Sequence, residues 1–146
     1  MKKTSFSLAI ICMAMLSCQR GDSIDRMQMS LDGNWRMIIV RDNTSGGSIT
    51  KQSSVQGDVD IIFSSLSPSN GTFVGNTPTN DIAENNFYTG ANQSLTIPVL
   101  SMTKVMETSW GSEFVDNIRN SHAYSFEAGN RLIIKTTSKT LVFQKR

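Results

Sequence analysis

Cysteine and histidine are nearly missing from this 146-residue chain, which has two cysteines, Cys12 and Cys18, and a single histidine, His122. A zinc-type centre needs several such ligands converging on one point. One histidine with no cysteine or carboxylate at a recognisable spacing does not supply them, so a structural or exposed role is expected for His122. No Gly-x-Ser-x-Gly elbow presents a serine nucleophile. No phosphate loop, dinucleotide fingerprint or calcium-loop series occurs. The expectation is a protein that is not an enzyme, with no catalytic or metal-binding residues and no cofactor. Charge is also scarce, at 14 basic and 12 acidic side chains. With no basic stripe and no acidic tail, a nucleic-acid partner is not expected. Long apolar runs are missing too. The longest, residues 6–16, has eleven residues, against the ~20 a helix needs to cross a bilayer.

That short run is informative for what surrounds it. Lys2 and Lys3 precede it, and Ser17-Cys18 follow. A charged start, a short apolar centre and a small residue before a cut describe a secretory signal rather than an anchor. Met15-Leu16-Ser17-Cys18 matches the lipobox of bacterial lipoproteins, in which the cysteine carries a diacylglycerol thioether. Residues 1–17 are therefore expected to be a lipoprotein signal peptide and Cys18 the lipid attachment site, holding the protein to a membrane. More than one acyl chain makes such anchoring stable. Gln19 is not the aspartate that retains enteric lipoproteins at the inner membrane, which favours a lipid-anchored place in the cell envelope, at the outer membrane. Cys12 leaves with the signal, so no intramolecular disulfide is expected and the fold must rest on a packed core. Without Lys2 and Lys3 the chain holds 12 basic and 12 acidic side chains.

Residues 18–30 are polar and read as a tether. The domain spans 31–146. Its opening Leu31-Asp32-Gly33-Asn34-Trp35 leads into a strand at 36–40, with Trp35, Met37 and Ile39 on one face by period-two alternation. Residues 42–56 read as a long loop and 58–64 as a strand burying Val59, Ile61 and Phe63. Pro68 and Asn70-Gly71 signal a tight turn, followed by a short strand at 72–74. Residues 75–86, rich in Asn and Asp, read as irregular. Strands are expected at 87–88 and 94–97. Thr108 or Ser109 can cap a helix whose Trp110, Phe114, Val115 and Ile118 share one face. Three closing strands, 123–127, 131–136 and 140–145, form a meander with hairpin-sized connections. Trp35 and Trp110 are expected in the core, and Met102 and Met106 are expected to fill it. Asp58 and Asp60 are expected as solvated carboxylates on a polar strand face.

Leu100-Ser101-Met102-Thr103-Lys104-Val105-Met106, the Gly75 to Asn80 turn before it, the helix around Glu113 to Ile118 and the closing Thr140-Leu141-Val142-Phe143 resemble the META/HslJ-like family of small bacterial envelope domains. The resemblance covers roughly residues 31–145. It implies an α+β, mainly β fold: a strongly bent antiparallel sheet or small barrel-like meander with one helix packed against it. It also implies a cysteine pair at the positions that in this chain hold Thr79 and Glu107. Family members are linked with stress tolerance, and no catalytic residues carry over.

The function expected is binding of another envelope component, such as a protein partner, in stress tolerance or envelope maintenance. The alternative is a lipocalin-like carrier with a small apolar ligand in its barrel mouth.

Overall fold

The computed structural model describes residues 30–146. The expected signal peptide, Cys18 and the tether before residue 30 lie outside the described residues. Those described form nine strands and one α-helix: β1 (Gly33–Asp42), β2 (Ser48–Ile49), β3 (Asp60–Ser67), β4 (Asn70–Asn76), β5 (Asp81–Gly90), β6 (Ser94–Thr96), α1 (Ser109–Ile118), β7 (Ser121–Glu127), β8 (Arg131–Thr136) and β9 (Lys139–Lys145). Every neighbouring pair is antiparallel. β9 returns to pair with β1, which closes β1 and β3–β9 into an eight-stranded barrel. β2 adds two residues beside the end of β1, with Val40 opposite Ile49. Of the two sheet forms expected, the closed barrel is the one adopted, and closure removes the unpaired edges that invite aggregation.

Alternation supplies the interior. Val59, Ile61 and Phe63, then Phe73, Phe87 and Leu95, then Leu132, Ile134, Leu141 and Phe143 all point inward and are buried. Phe63 meets Phe73 at 5.5 Å and Phe87 edge-on at 5.1 Å between ring centroids. Eight strands give an interior that side chains can fill, and these do. Full burial of each large side chain is worth about 1.5–3 kcal/mol.

The two ends of the barrel are closed differently. At one end α1 leads into β7 and lays Trp110, Phe114 and Ile118, spaced four apart, into the same buried cluster. Phe114 stands edge-on to Phe143 at 6.4 Å. The Thr108 hydroxyl caps the helix by accepting from Gly111 N at 3.1 Å. Asn117 accepts the Ser138 hydroxyl at 2.9 Å, tying the helix to the β8–β9 turn. At the other end, among the described residues, residues 30–32 lie at the opening. Leu31 is buried there, and its carbonyl accepts the Trp35 indole N–H at 2.6 Å.

Several expectations are corrected. A register shift between Met37 and Ile39 puts Val40, not Ile39, beside Met37 on the buried face. Residues 81–86 are the first half of β5, because Asp81 to Asn86 pair with β4 despite their turn-like composition. The tight turn falls at Pro68-Ser69, and Asn70-Gly71 opens β4. Gly71 is needed for a different reason: a Cβ there would come within 2.6 Å of the Phe87 ring. The expected 42–56 loop contains β2. Met106 is 91 % exposed, so it fills no core, while Met102 is partly buried against the cluster.

Candidate functional site

The open end carries a groove of about 540 Å³, inside the 300–1,000 Å³ typical of small-ligand sites. Its position follows from the topology, since the start of β1, the β3–β4 turn, the end of β5 and β7 converge there. Ser30, Asp32, Ser65, Ser67, Thr89 and Tyr124 present oxygen atoms along it, and Leu31, Pro68 and Phe87 supply apolar surface. Pro68 fixes the turn that brings Ser67 and Thr89 together. The Thr89 hydroxyl donates to the Pro68 carbonyl at 3.2 Å and Thr89 N to the Ser69 carbonyl at 2.8 Å.

Asp32 is the one charged side chain along this groove among the described residues. Its carboxylate accepts Ser65 N at 2.6 Å and the Ser30 hydroxyl at 3.0 Å. Burial pushes its pKa up, but these hydrogen bonds outweigh burial and hold it below its ordinary value. Asp32 therefore stays ionised at neutral pH. Tyr124 packs edge-on against Phe126 at 5.7 Å, and its hydroxyl has no partner among the described residues. Lys145 lies outside the lining, its Nζ 5.3 Å from the centroid of the Trp35 ring.

The helix end carries a polar junction rather than an opening. Residues 101–103 run beside the first half of β5, with Ala83 N donating to Ser101 O and Thr103 N to Asp81 O, each at 3.0 Å. Asn80 fastens the rest. Its amide donates to Val105 O and Glu107 at 2.9 Å, and its oxygen accepts Val105 N at 2.7 Å and the Thr103 hydroxyl at 3.0 Å. The Glu107 carboxylate also accepts the hydroxyls of Thr77 and Thr79, the latter at 2.9 Å, and Thr108 N at 2.9 Å. Burial raises the Glu107 pKa, and these donors more than offset it, leaving the group below its usual value. It sits at the helix N-terminus, where a negative charge is favoured. Gly111 is required beneath it, because a Cβ would collide with the carboxylate.

A smaller groove of about 270 Å³ lies beside α1, between Ile49, Thr50 and Gln52 on one side and Ser109, Trp110 and Glu113 on the other. Trp35 and Trp110 are both buried, as expected. His122 is exposed at the start of β7. Asp58 and Asp60 are not free solvated carboxylates. Arg36 bridges them, with N–O distances of 2.8 Å to Asp58 and 2.9 Å to Asp60, and Lys51 and Arg146 complete the network. Among the described residues no group of three or more His, Cys, Asp or Glu side chains could hold a metal ion. No helix among them is long and apolar enough to cross a membrane. Cys18, the one site residue nominated from the sequence, lies outside the described residues. Asp32 and Tyr124 escape a reading of the sequence because nothing local marks them; only barrel closure brings positions 32, 67, 89 and 124 together.

No protein-family model matches this chain, and no curated protein does. Among solved structures, it is similar to an NMR structure of a protein from Burkholderia xenovorans, with a TM-score of 0.56 and 14 % identity. The match covers 79 % of this chain and 82 % of that one. At that identity the likeness concerns the fold alone.

Proposed function

We propose that this protein is a non-enzymatic envelope lipoprotein, anchored through Cys18 to the outer membrane, whose META/HslJ-like barrel binds another envelope component through its outer surface. The observation that carries this reading is the filled interior. Trp35, Phe63, Phe73, Phe87, Phe114 and Phe143 are each at most 1 % exposed, which leaves recognition to the outside. The outer wall offers a surface for it. Ile62 and Val74 face each other across β3 and β4, and Leu66 and Tyr88 stand exposed nearby. No lysine or arginine occurs between Lys51 and Lys104. The family reading rests on the sequence resemblance; at the positions where it implies a cysteine pair, the Thr79 hydroxyl donates to the Glu107 carboxylate at 2.9 Å.

The test is crosslinking in the native cell, with Cys18→Ser alongside. The expected result is one envelope protein recovered with the wild type and the variant lost from the membrane fraction. Equal membrane association of the variant would remove the lipoprotein reading. Recovery of no envelope component would remove the adaptor reading.

A second reading, a small-ligand binder, is favoured by the groove at the open end. The ligand would sit at the mouth rather than inside, and the oxygen-rich lining disfavours the wholly apolar ligand expected from the sequence.

A further inference from the structure

We infer that the groove at the open end of the barrel binds a neutral glycan, whose hydroxyls bond to Asp32 and its neighbouring hydroxyls and whose ring lies against Tyr124. This rests on the small-ligand reading above and names the class of ligand.

The lining decides between classes. An anionic ligand would meet Asp32, ionised and facing the same groove, with no lysine or arginine among the described residues of the lining; Lys145, whose charge Asp32 feels, stands outside it. A divalent cation would find one carboxylate, too few ligands for a hard ion that takes six or more oxygens. A purely apolar molecule would strip water from the ionised Asp32 carboxylate and from the Tyr124 hydroxyl, and a polar group stripped of water without a new partner is penalised. A polyhydroxylated ring fits all three. Its O–H groups donate to the Asp32 carboxylate, a charge-assisted bond stronger than a neutral one. Its oxygens accept from Tyr124, whose hydroxyl has no protein partner among the described residues. Its C–H face covers the apolar part of the lining, as Tyr is suited to do with one apolar body and one polar tip.

The site is also prepared in advance. Asp32 is held in place by Ser65 N and Ser30, and Leu31 beside it is pinned by Trp35. Side chains already fixed lose less freedom on binding. A saccharide bound through few contacts has a dissociation constant of about a millimolar, and that is the range in which to look.

The experiment is a titration of the uniformly ¹⁵N-labelled full chain, read by amide chemical shifts, with chitotriose, maltotriose, cellotriose and, as an apolar probe, 1-hexanol. We expect at least one glycan to give saturable shifts confined to residues 31–32, 65–69, 87–89 and 124. Tyr124→Ala should weaken that binding about tenfold, the scale of one lost contact. Asp32→Asn, which keeps the shape and removes the charge, should weaken it while the amide spectrum away from the groove stays that of the wild type. If hexanol moves these amides and no glycan does, the glycan inference is overturned while the mouth remains a ligand site. If no probe moves them, both this inference and the small-ligand reading fall.

Discussion

The two ends of this barrel solve one problem in opposite ways. Both must keep water from a core that runs the length of the barrel. The helix end does so with bulk. Trp110, Phe114 and Ile118 enter the core, and Asn80 and Glu107 gather the chain before the helix into a hydrogen-bonded network, while the Trp110 indole N–H and the Ser121 hydroxyl are buried without a partner among the described residues. Among the described residues the open end has three residues, one buried leucine and a single indole hydrogen bond, and leaves a groove beside them. An end built by packing keeps only the smaller groove beside α1 among the described residues. An end closed thinly keeps polar atoms at the surface, where a ligand can reach them.

That contrast should appear most strongly in stability. Phe114→Ala or Trp110→Ala opens a cavity at the helix end and should cost about 3–5 kcal/mol in denaturant melts. Tyr124→Ala, at a half-exposed position in the mouth, should cost no more than about 1–2 kcal/mol. Equal losses at both ends would break the comparison.

A covalent test of the junction comes next in size. Thr79→Cys combined with Glu107→Cys should form a disulfide when the purified domain is oxidised. Closing a loop of this length stabilises by about 3–4 kcal/mol on the chain-entropy account, less any strain and less the hydrogen bonds lost with the Glu107 carboxylate. Free thiols after oxidation, detected by mass shift on alkylation, would count against the two segments being joined as described.

A smaller effect separates the charge of Glu107 from its shape. Its folded pKa lies below the usual 4.5, so the stability it contributes is full above that value and is lost as pH falls through the folded pKa. Glu107→Gln removes this dependence and should lower stability by about 1–3 kcal/mol at pH 7. The gap between variant and wild type should narrow as the pH drops below about 4.5. A constant gap from pH 7 to pH 3 would mean that the carboxylate's hydrogen bonds do not depend on its charge.

Much of the helix end was legible in the sequence. Thr108 as cap, the 110–114–118 face and the closing meander all follow from local chemistry and periodicity, and they stand where expected. The errors share one cause, which is pairing between distant strands. Asp81 to Asn86 carries turn-like residues, yet β4 and the 101–103 segment satisfy its backbone from both sides. The displaced Ile39 reflects a bulge that only the β9 register reveals. Gly71 reads as a turn residue until Phe87, sixteen positions later, is seen lying over it. The mouth was illegible for the same reason, since its residues come from four separate parts of the chain.

Whether the helix is a plug or a lid is the question beneath all of this, and native-state hydrogen exchange on the full chain answers it most directly. If α1 is part of the core, its amides and that of Val105 should exchange only through global unfolding, while amides at residues 31–32 and 65–67 exchange through cheaper local opening. The opposite pattern, with α1 opening locally and the mouth protected to the global limit, would contradict the plug and make the helix a gate to the barrel interior.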